Sequence, residues 1–169
     1  IFRFNKRKYL LKKPKMLGEH QLENASTALA ASILIKNFGF KIKCNLFNKS
    51  ISNTHWPGRL EMVRFNDKKL IFDGSHNVSG SEKLNIFLKQ NRIKPLVLFG
   101  MLNNKKIFNF LKIIRNNVEK ILAIKIPEEK NSFTTSEIEE SCKKLYIDCV
   151  KLSNISQANK YILNSKNKY

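Results

Sequence analysis

From Leu60 onward, short apolar runs alternate with amphipathic stretches of ordinary helix length. LEMVRF and KLIFD read as strands joined by the turn NDK. VSGSEKLNIFLKQN reads as a helix, KPLVLFG as a buried strand, NKKIFNFLKIIRNN as a helix and EKILAIKIP as a strand. TTSEIEESCKKLY reads as a helix whose start is signalled by Thr135 and Ser136 ahead of acidic residues in its first turn. IDCVKL is then a strand, and SNISQANKYILNSK a final helix. Each strand needs cover and each helix has one apolar face to bury. The economical solution is a series of βαβ units in an α/β, Rossmann-like fold, with a mostly parallel, doubly wound sheet and flanking helices.

The preceding residues follow a different pattern. IFRFNKRKYLL alternates apolar and basic residues and reads as one or two strands with a basic turn, punctuated by Pro14 and Gly18. From His20 the period lengthens. Leu22, Ala25, Leu29, Ile33 and Lys36 fall on one helical face, with Ala28, Ala30, Ala31 and Ser32 around them, and Gly39 is a stop. NKSISNTHWPG has the composition of a linker, so a domain boundary is expected there, with one domain over 1–52 and a second over 53–169.

Apolar residues make up 42 % of the 169, enough for a normal core, and no uninterrupted apolar run is long enough to span a bilayer. The basic N-terminus lacks the apolar and small-residue regions of a signal peptide. It does not begin with Met, and the chain is read as part of a longer one. Cys44, Cys142 and Cys149 have no metal-binding spacing and read as core thiols in a reducing compartment. The formal charge of +19 raises nucleic-acid binding as one possibility. The lysines, however, are scattered and accompanied by many Asn and Ile, as an AT-rich genome would impose on any surface. Weak, non-specific polyanion binding is the expectation.

Four short segments carry candidate chemistry. In FDGSHN, Asp73 ends a strand where a carboxylate accepts hydrogen bonds from a ribose or backbone amides. Ser75, His76 and Asn77 sit at a helix start, where anions are favoured. The competing reading is that Asp73, Ser75 and Asn77 are helix caps and His76 is merely exposed. In LFGMLNNKK, Lys105 either reaches an anion or is a solvated lysine. In GEHQLENAS, His20 and Asn24 share a helical face, and a side-chain amide such as Asn24 suits a base edge because it both donates and accepts. In HWPGRLE, Arg59 either forks onto a phosphate or pairs with Glu61.

In this order and at these separations, GEHQLENAS, HWPGRLE, FDGSHN and LFGMLNNKK resemble the folylpolyglutamate synthase and dihydrofolate synthase family of the Mur ligase superfamily. The resemblance runs in motifs from about Leu17 to Lys105. It implies that residues 1–52 are the end of a central P-loop ATP-binding domain and 53–169 most of a Mur-ligase-type C-terminal domain. The implied reaction is ATP-dependent: a folate or dihydropteroate carboxylate becomes an acyl phosphate, which the amine of L-glutamate attacks. Implied roles are Asn24 on adenine, Arg59 on the phosphates, Asp73 on the ribose or neighbouring nucleotide groups, and His76 as the catalytic residue near glutamate and acyl phosphate. Asn24 and Arg59 would then straddle the domain boundary, so that closure assembles the nucleotide site.

The chain departs from the family pattern in several places. Ser75 and Val78 stand where alanine and proline are usual, and Asn104 and Lys106 flank Lys105 where acids are usual. No G-x-x-x-x-G-K-[ST] loop and no final GS-containing strand is present. Magnesium ligands are expected upstream, with no metal site among these residues. The expected partners are small molecules (ATP, folate or dihydropteroate, L-glutamate), with no specific nucleic acid and no membrane, in a cytoplasmic monomer. The alternatives are a Mur-type cell-wall peptide ligase, against which HQ-x-x-NA argues, and a basic nucleic-acid-binding domain, against which the scattered lysines argue.

Overall fold

The structure, a computed structural model, describes residues 1–169. The chain forms two compact units, Ile1–Glu61 and Met62–Tyr169.

In the first unit, β1 (Phe2–Phe4) and β2 (Arg7–Tyr9) pair antiparallel, with Phe2 opposite Tyr9 and Arg3 opposite Lys8. The two-residue turn Asn5–Lys6 has φ of 47° and 61°, the geometry that matches strand twist in a tight hairpin. Helix α1 (His20–Asn37) closes where Phe38 and Gly39 return their amides to the carbonyls of Ile35 and Lys36. Along its expected inner face Leu29 is buried and Ala25 and Ile33 pack against it, but Leu22 is 47 % exposed. The polar Gln21 is buried in its neighbourhood instead.

The linker expected after residue 45 is a helix. A 3₁₀ turn (Cys44–Leu46) leads into α2 (Phe47–Asn53). Phe47 and Ile51, four residues apart, lie on one helical face and join Leu29 in the core with Phe2, Tyr9, Leu11 and Ile42. The Asn and Ser residues that suggested a loop occupy the other side of a short amphipathic helix. The boundary expected between 52 and 53 therefore falls in the last turn of α2, and the division into compact units comes after Glu61.

The second unit opens with a two-stranded sheet of β3 (Glu61–Phe65, whose first residue closes the first unit) and β4 (Lys68–Phe72). Then follow α3 (Val78–Gln90), β5 (Leu96–Phe99), α4 (Ile107–Ile114), β6 (Lys120–Ala123), α5 (Thr135–Lys144), β7 (Cys149–Lys151) and α6 (Ile155–Asn164). Strands β5, β6 and β7 form a parallel sheet in chain order, with Val97 opposite Ile121 and Ile121 opposite Cys149. Ile121, Leu122 and Ala123 are wholly buried, as are Leu111, Ile114 and Ile138 from the helices. Near-continuous apolar strands are what a parallel sheet covered by helices requires.

β3 and β4, the two strands read on either side of the turn NDK, pair with each other, and β4 is not a strand of the parallel sheet. The carbonyl of Lys168 accepts from the amide of Lys69 on β4 (2.7 Å), and that of Tyr169 accepts from Leu96 on β5 (3.1 Å). The 165–169 segment thus engages both strands. Its own anchor is Lys68, only 4 % exposed, whose Nζ donates to the carbonyls of Ser165 (2.7 Å) and Asn167 (3.0 Å).

Both ends of α5 are closed. The N-cap is Thr134, one residue earlier than expected. Its Oγ1 accepts from the Glu137 amide, while a Glu137 carboxylate oxygen accepts from the Thr134 amide, a complete capping box. These hydrogen bonds from Thr134 hold the Glu137 carboxyl below its usual range. At the C-terminal end, the amide of Tyr146 reaches the Lys143 carbonyl and that of Ile147 reaches the Cys142 carbonyl. This is a Schellman closure with Tyr146 left-handed at φ 57°. An aromatic residue is strained there, and its side chain is 97 % exposed. Tyr146→Gly should therefore stabilise the second unit by about 1 kcal/mol, visible as a raised thermal midpoint. An unchanged or lowered midpoint would contradict the strain.

Candidate functional site

In the first unit, the start of α1 holds a chain of side-chain amides. Gln21 is buried, and its NH₂ group donates to His20 Nε2 (2.9 Å). With Nε2 accepting, the neutral His20 ring carries its proton on Nδ1. The Gln21 carbonyl oxygen in turn accepts from Asn24 Nδ2 (3.1 Å). Asn24 keeps its own carbonyl oxygen and a second N–H for a ligand, the pair a purine edge requires. Gly18 makes room for this arrangement. It has φ of 95°, and a Cβ there would stand 2.5 Å from His20 Cε1 and 2.9 Å from Leu60 Cδ1. Gln21 stands in HQ-x-x-NA beside His20 and Asn24, but its part in orienting Asn24 is not read from the sequence. Its signal, a glutamine on the inner side of an otherwise apolar helix face, is visible only once burial is known.

These groups open into a cavity of about 910 Å³ whose wall includes His20, Gln21, Asn24, Lys43, Trp56 and Arg59. Asn24 and Arg59, expected on opposite sides of a boundary, line this one cavity in the first unit. Glu61 does not pair with Arg59. One of its carboxylate oxygens lies 3.3 Å from His55 Nε2 and the other accepts from the Gly58 amide (3.0 Å). Both carboxylate oxygens are therefore used to fasten the HWPG turn, and the exposed Arg59 guanidinium enters no ion pair within the chain.

The second group lies in the second unit, between β4 and α3. Asp73 accepts from the Ser75 amide (3.0 Å), closing an Asx turn. Of the three candidate caps, Asn77 is the one used: its Oδ1 accepts from the Gly80 amide (2.8 Å), and α3 begins only at Val78. Gly80 packs tightly here, since a Cβ would lie 2.9 Å from Ser75 Cβ. His76 Nδ1 donates to the Gly74 carbonyl (2.9 Å), which can only accept. The neutral ring then presents a bare Nε2 on an exposed side chain. Asp73 and His76 are thus held by local turn bonds at one strand end.

Lys105 begins no comparable cluster. The loop after β5 is instead tied down by main-chain bonds, Asn103 to Asn131 (2.7 Å) and Phe133 to Met101 (2.9 Å). No three His, Cys, Asp or Glu side chains converge as metal ligands would. No helix is long and apolar enough to cross a membrane.

No protein-family model and no curated protein matches the chain. Solved structures do. E. coli FolC in complex with DHPP and ADP is 24 % identical with a TM-score of 0.75, over 94 % of this chain and 36 % of its own. The ligand-free bifunctional folylpolyglutamate synthase/dihydrofolate synthase from Yersinia pestis is 20 % identical with a TM-score of 0.81, over 98 % and 38 %. A bifunctional folylpolyglutamate synthase/dihydrofolate synthase with Mn, AMPPNP and L-glutamate bound gives 0.80 at 20 % identity, over the same shares. The chain therefore spans little more than a third of the length of the proteins it resembles, and it has the fold of the C-terminal region of folylpolyglutamate and dihydrofolate synthases.

Proposed function

We propose that this chain is the C-terminal part of an ATP-dependent ligase that joins L-glutamate to a folate or dihydropteroate carboxylate through an acyl phosphate. The observation that carries the reading is the cavity of the first unit. It brings an oriented amide (Asn24), an aromatic ring (Trp56) and an arginine without an internal counter-ion (Arg59) together, on a fold whose solved examples bind ADP or AMPPNP. Residues 1–52 would then be the end of a P-loop domain. The exposed Leu22, Leu34, Ile35, Phe38 and Phe40 on and just after α1 suit burial against the remainder of such a domain.

The roles follow from what each group can do. Asn24 offers one acceptor and one donor to the base, with Gln21 fixing its rotation. Arg59 neutralises phosphate charge with a planar fork of donors. Asp73 accepts from a hydroxyl of the nucleotide. His76, with Nε2 free and Nδ1 held, accepts a proton from the glutamate ammonium so that the free amine can attack, and can then pass that proton to the departing phosphate. The residues of this chain do not converge into a magnesium site, and no step through a metal is assigned to them.

The test is a coupled assay for ADP release by the full-length protein, with ATP, L-glutamate and either dihydropteroate or folate. Turnover that requires all three supports the reading. Turnover only with a UDP-linked peptide precursor would replace it with a cell-wall ligase. The 169-residue chain alone, which has no G-x-x-x-x-G-K-[ST] loop, should show no turnover in the same assay. Measurable activity from it would contradict the assignment of phosphoryl chemistry to residues outside this chain.

A further inference from the structure

We propose that Leu60 and Glu61 are positioning residues: they hold Arg59 at a set place relative to Asn24, so that the phosphates and the base of one nucleotide are gripped together. The inference rests on the reading of the first-unit cavity as a nucleotide site. It concerns two residues that do not line that cavity themselves.

Arg59 sits in a turn of unusual backbone. Gly58 before it has φ of 68°, and Leu60 after it has φ of 49°. The left-handed region suits glycine, but it is unfavourable for leucine, whose Cβ crowds the following carbonyl oxygen. Such a residue persists only where its surroundings over-determine it. Leu60 is 1 % exposed, and leaving this conformation would bring its apolar side chain into water. It packs on Gly18, whose carbonyl accepts from the Gln21 amide (3.0 Å) at the start of α1. A Cβ on Gly18 would stand 2.9 Å from Leu60 Cδ1 and 2.5 Å from His20 Cε1. One bare backbone position therefore accommodates both Leu60 and His20. His20 opens the side-chain series that continues through Gln21 to Asn24. The Arg59 turn and the Asn24 amide are thus set against the same point of the main chain.

Glu61 secures the other end of the turn. One carboxylate oxygen accepts from the Gly58 amide (3.0 Å), and the other lies 3.3 Å from His55 Nε2. The carboxylate ties residue 61 back across Arg59, fixing Gly58 as burial fixes Leu60. The Arg59 guanidinium itself stays exposed and lines the cavity with Asn24. An arginine loses side-chain freedom when it binds phosphate, and a backbone already held leaves less to lose.

Calorimetric titration of the full-length protein with ADP tests this without relying on turnover. Glu61→Ala should raise the Kd for ADP about fivefold, a coupling of the size usual between contacting residues. The Arg59→Ala, Glu61→Ala double variant should bind no more weakly than Arg59→Ala alone, because Glu61 acts through the guanidinium. Glu61→Gln should bind ADP as the unsubstituted protein does, since its carbonyl oxygen still accepts from Gly58 and its amide can donate to His55. Where Glu61→Ala does not fold, His55→Ala, which cuts only the more exposed half of the clamp, must show the same dependence on Arg59. An unchanged Kd in Glu61→Ala, or losses that add in the double variant, would overturn the positioning role while leaving the nucleotide site in place. Absence of ADP binding by the unsubstituted protein would instead remove the nucleotide reading, and this role with it.

Discussion

Arg59→Ala in the full-length protein is expected to lower kcat/KM for the ligase reaction at least about tenfold, since it removes a charge-assisted contact to phosphate. The guanidinium enters no ion pair within this chain, because Glu61 is committed to His55 and to the Gly58 amide. Its removal therefore leaves no buried carboxylate uncompensated, and folding should be unaffected. That separates a binding role from a structural one: the loss should appear in ATP affinity or turnover while the thermal midpoint is retained. Asp73→Ala is expected to give a loss of similar size. It also opens the Asx turn to Ser75, so its midpoint should be measured alongside. Unchanged kinetics in both variants would remove these residues from the nucleotide site. A matched loss of activity and stability in Arg59→Ala would make its role structural.

Lys68→Met should destabilise the second unit by about 3 kcal/mol, from two hydrogen bonds to a charged donor at roughly 1.5 kcal/mol each. Methionine keeps much of the side chain's length and apolar contact but has no donor. The carbonyls of Ser165 and Asn167 would lose their ammonium partner. Asp67, 3.5 Å from Nζ but 71 % exposed, would simply return to solvent. The 165–169 segment would also loosen its hold on Lys69 and Leu96. For a unit of this size the thermal midpoint should fall by about 10 °C or more. Protection of the Lys69 and Leu96 amides from hydrogen exchange should fall with it. A midpoint within a degree or so of the parent's would show that the segment is held by its main-chain bonds alone.

Much of the second unit was legible because its information is local. A capping signal at Thr135 and Ser136, one residue past the Thr134 cap itself, an apolar run at Ile121–Ala123 and amphipathic periodicity in α3 to α6 each name an element without reference to the rest of the chain. Where the reading went astray, the deciding interaction was distant in sequence. Residues 47–53 have a loop-like composition, yet two apolar side chains four apart suffice for a helix once Leu29 and Tyr9 stand opposite them. Leu22 has the period of a core residue but is exposed, and Gln21 is buried. Helical period gives spacing around the axis, not which neighbours arrive.

The candidate site divides in the same way. The sequence by itself determined which side chains can do the chemistry, since an amide, a guanidinium, a carboxylate and an imidazole have their donors and acceptors whatever the fold. It also determined the order of strands and helices in the second unit, because hydrophobic period is a property of neighbouring residues. Only the tertiary structure decided that Asn24 and Arg59 share one cavity, that Gln21 orients Asn24, and that Asn77 rather than Asp73 caps α3. Each of these depends on backbone direction at a turn and on burial, and neither is encoded in the spacing of residue types.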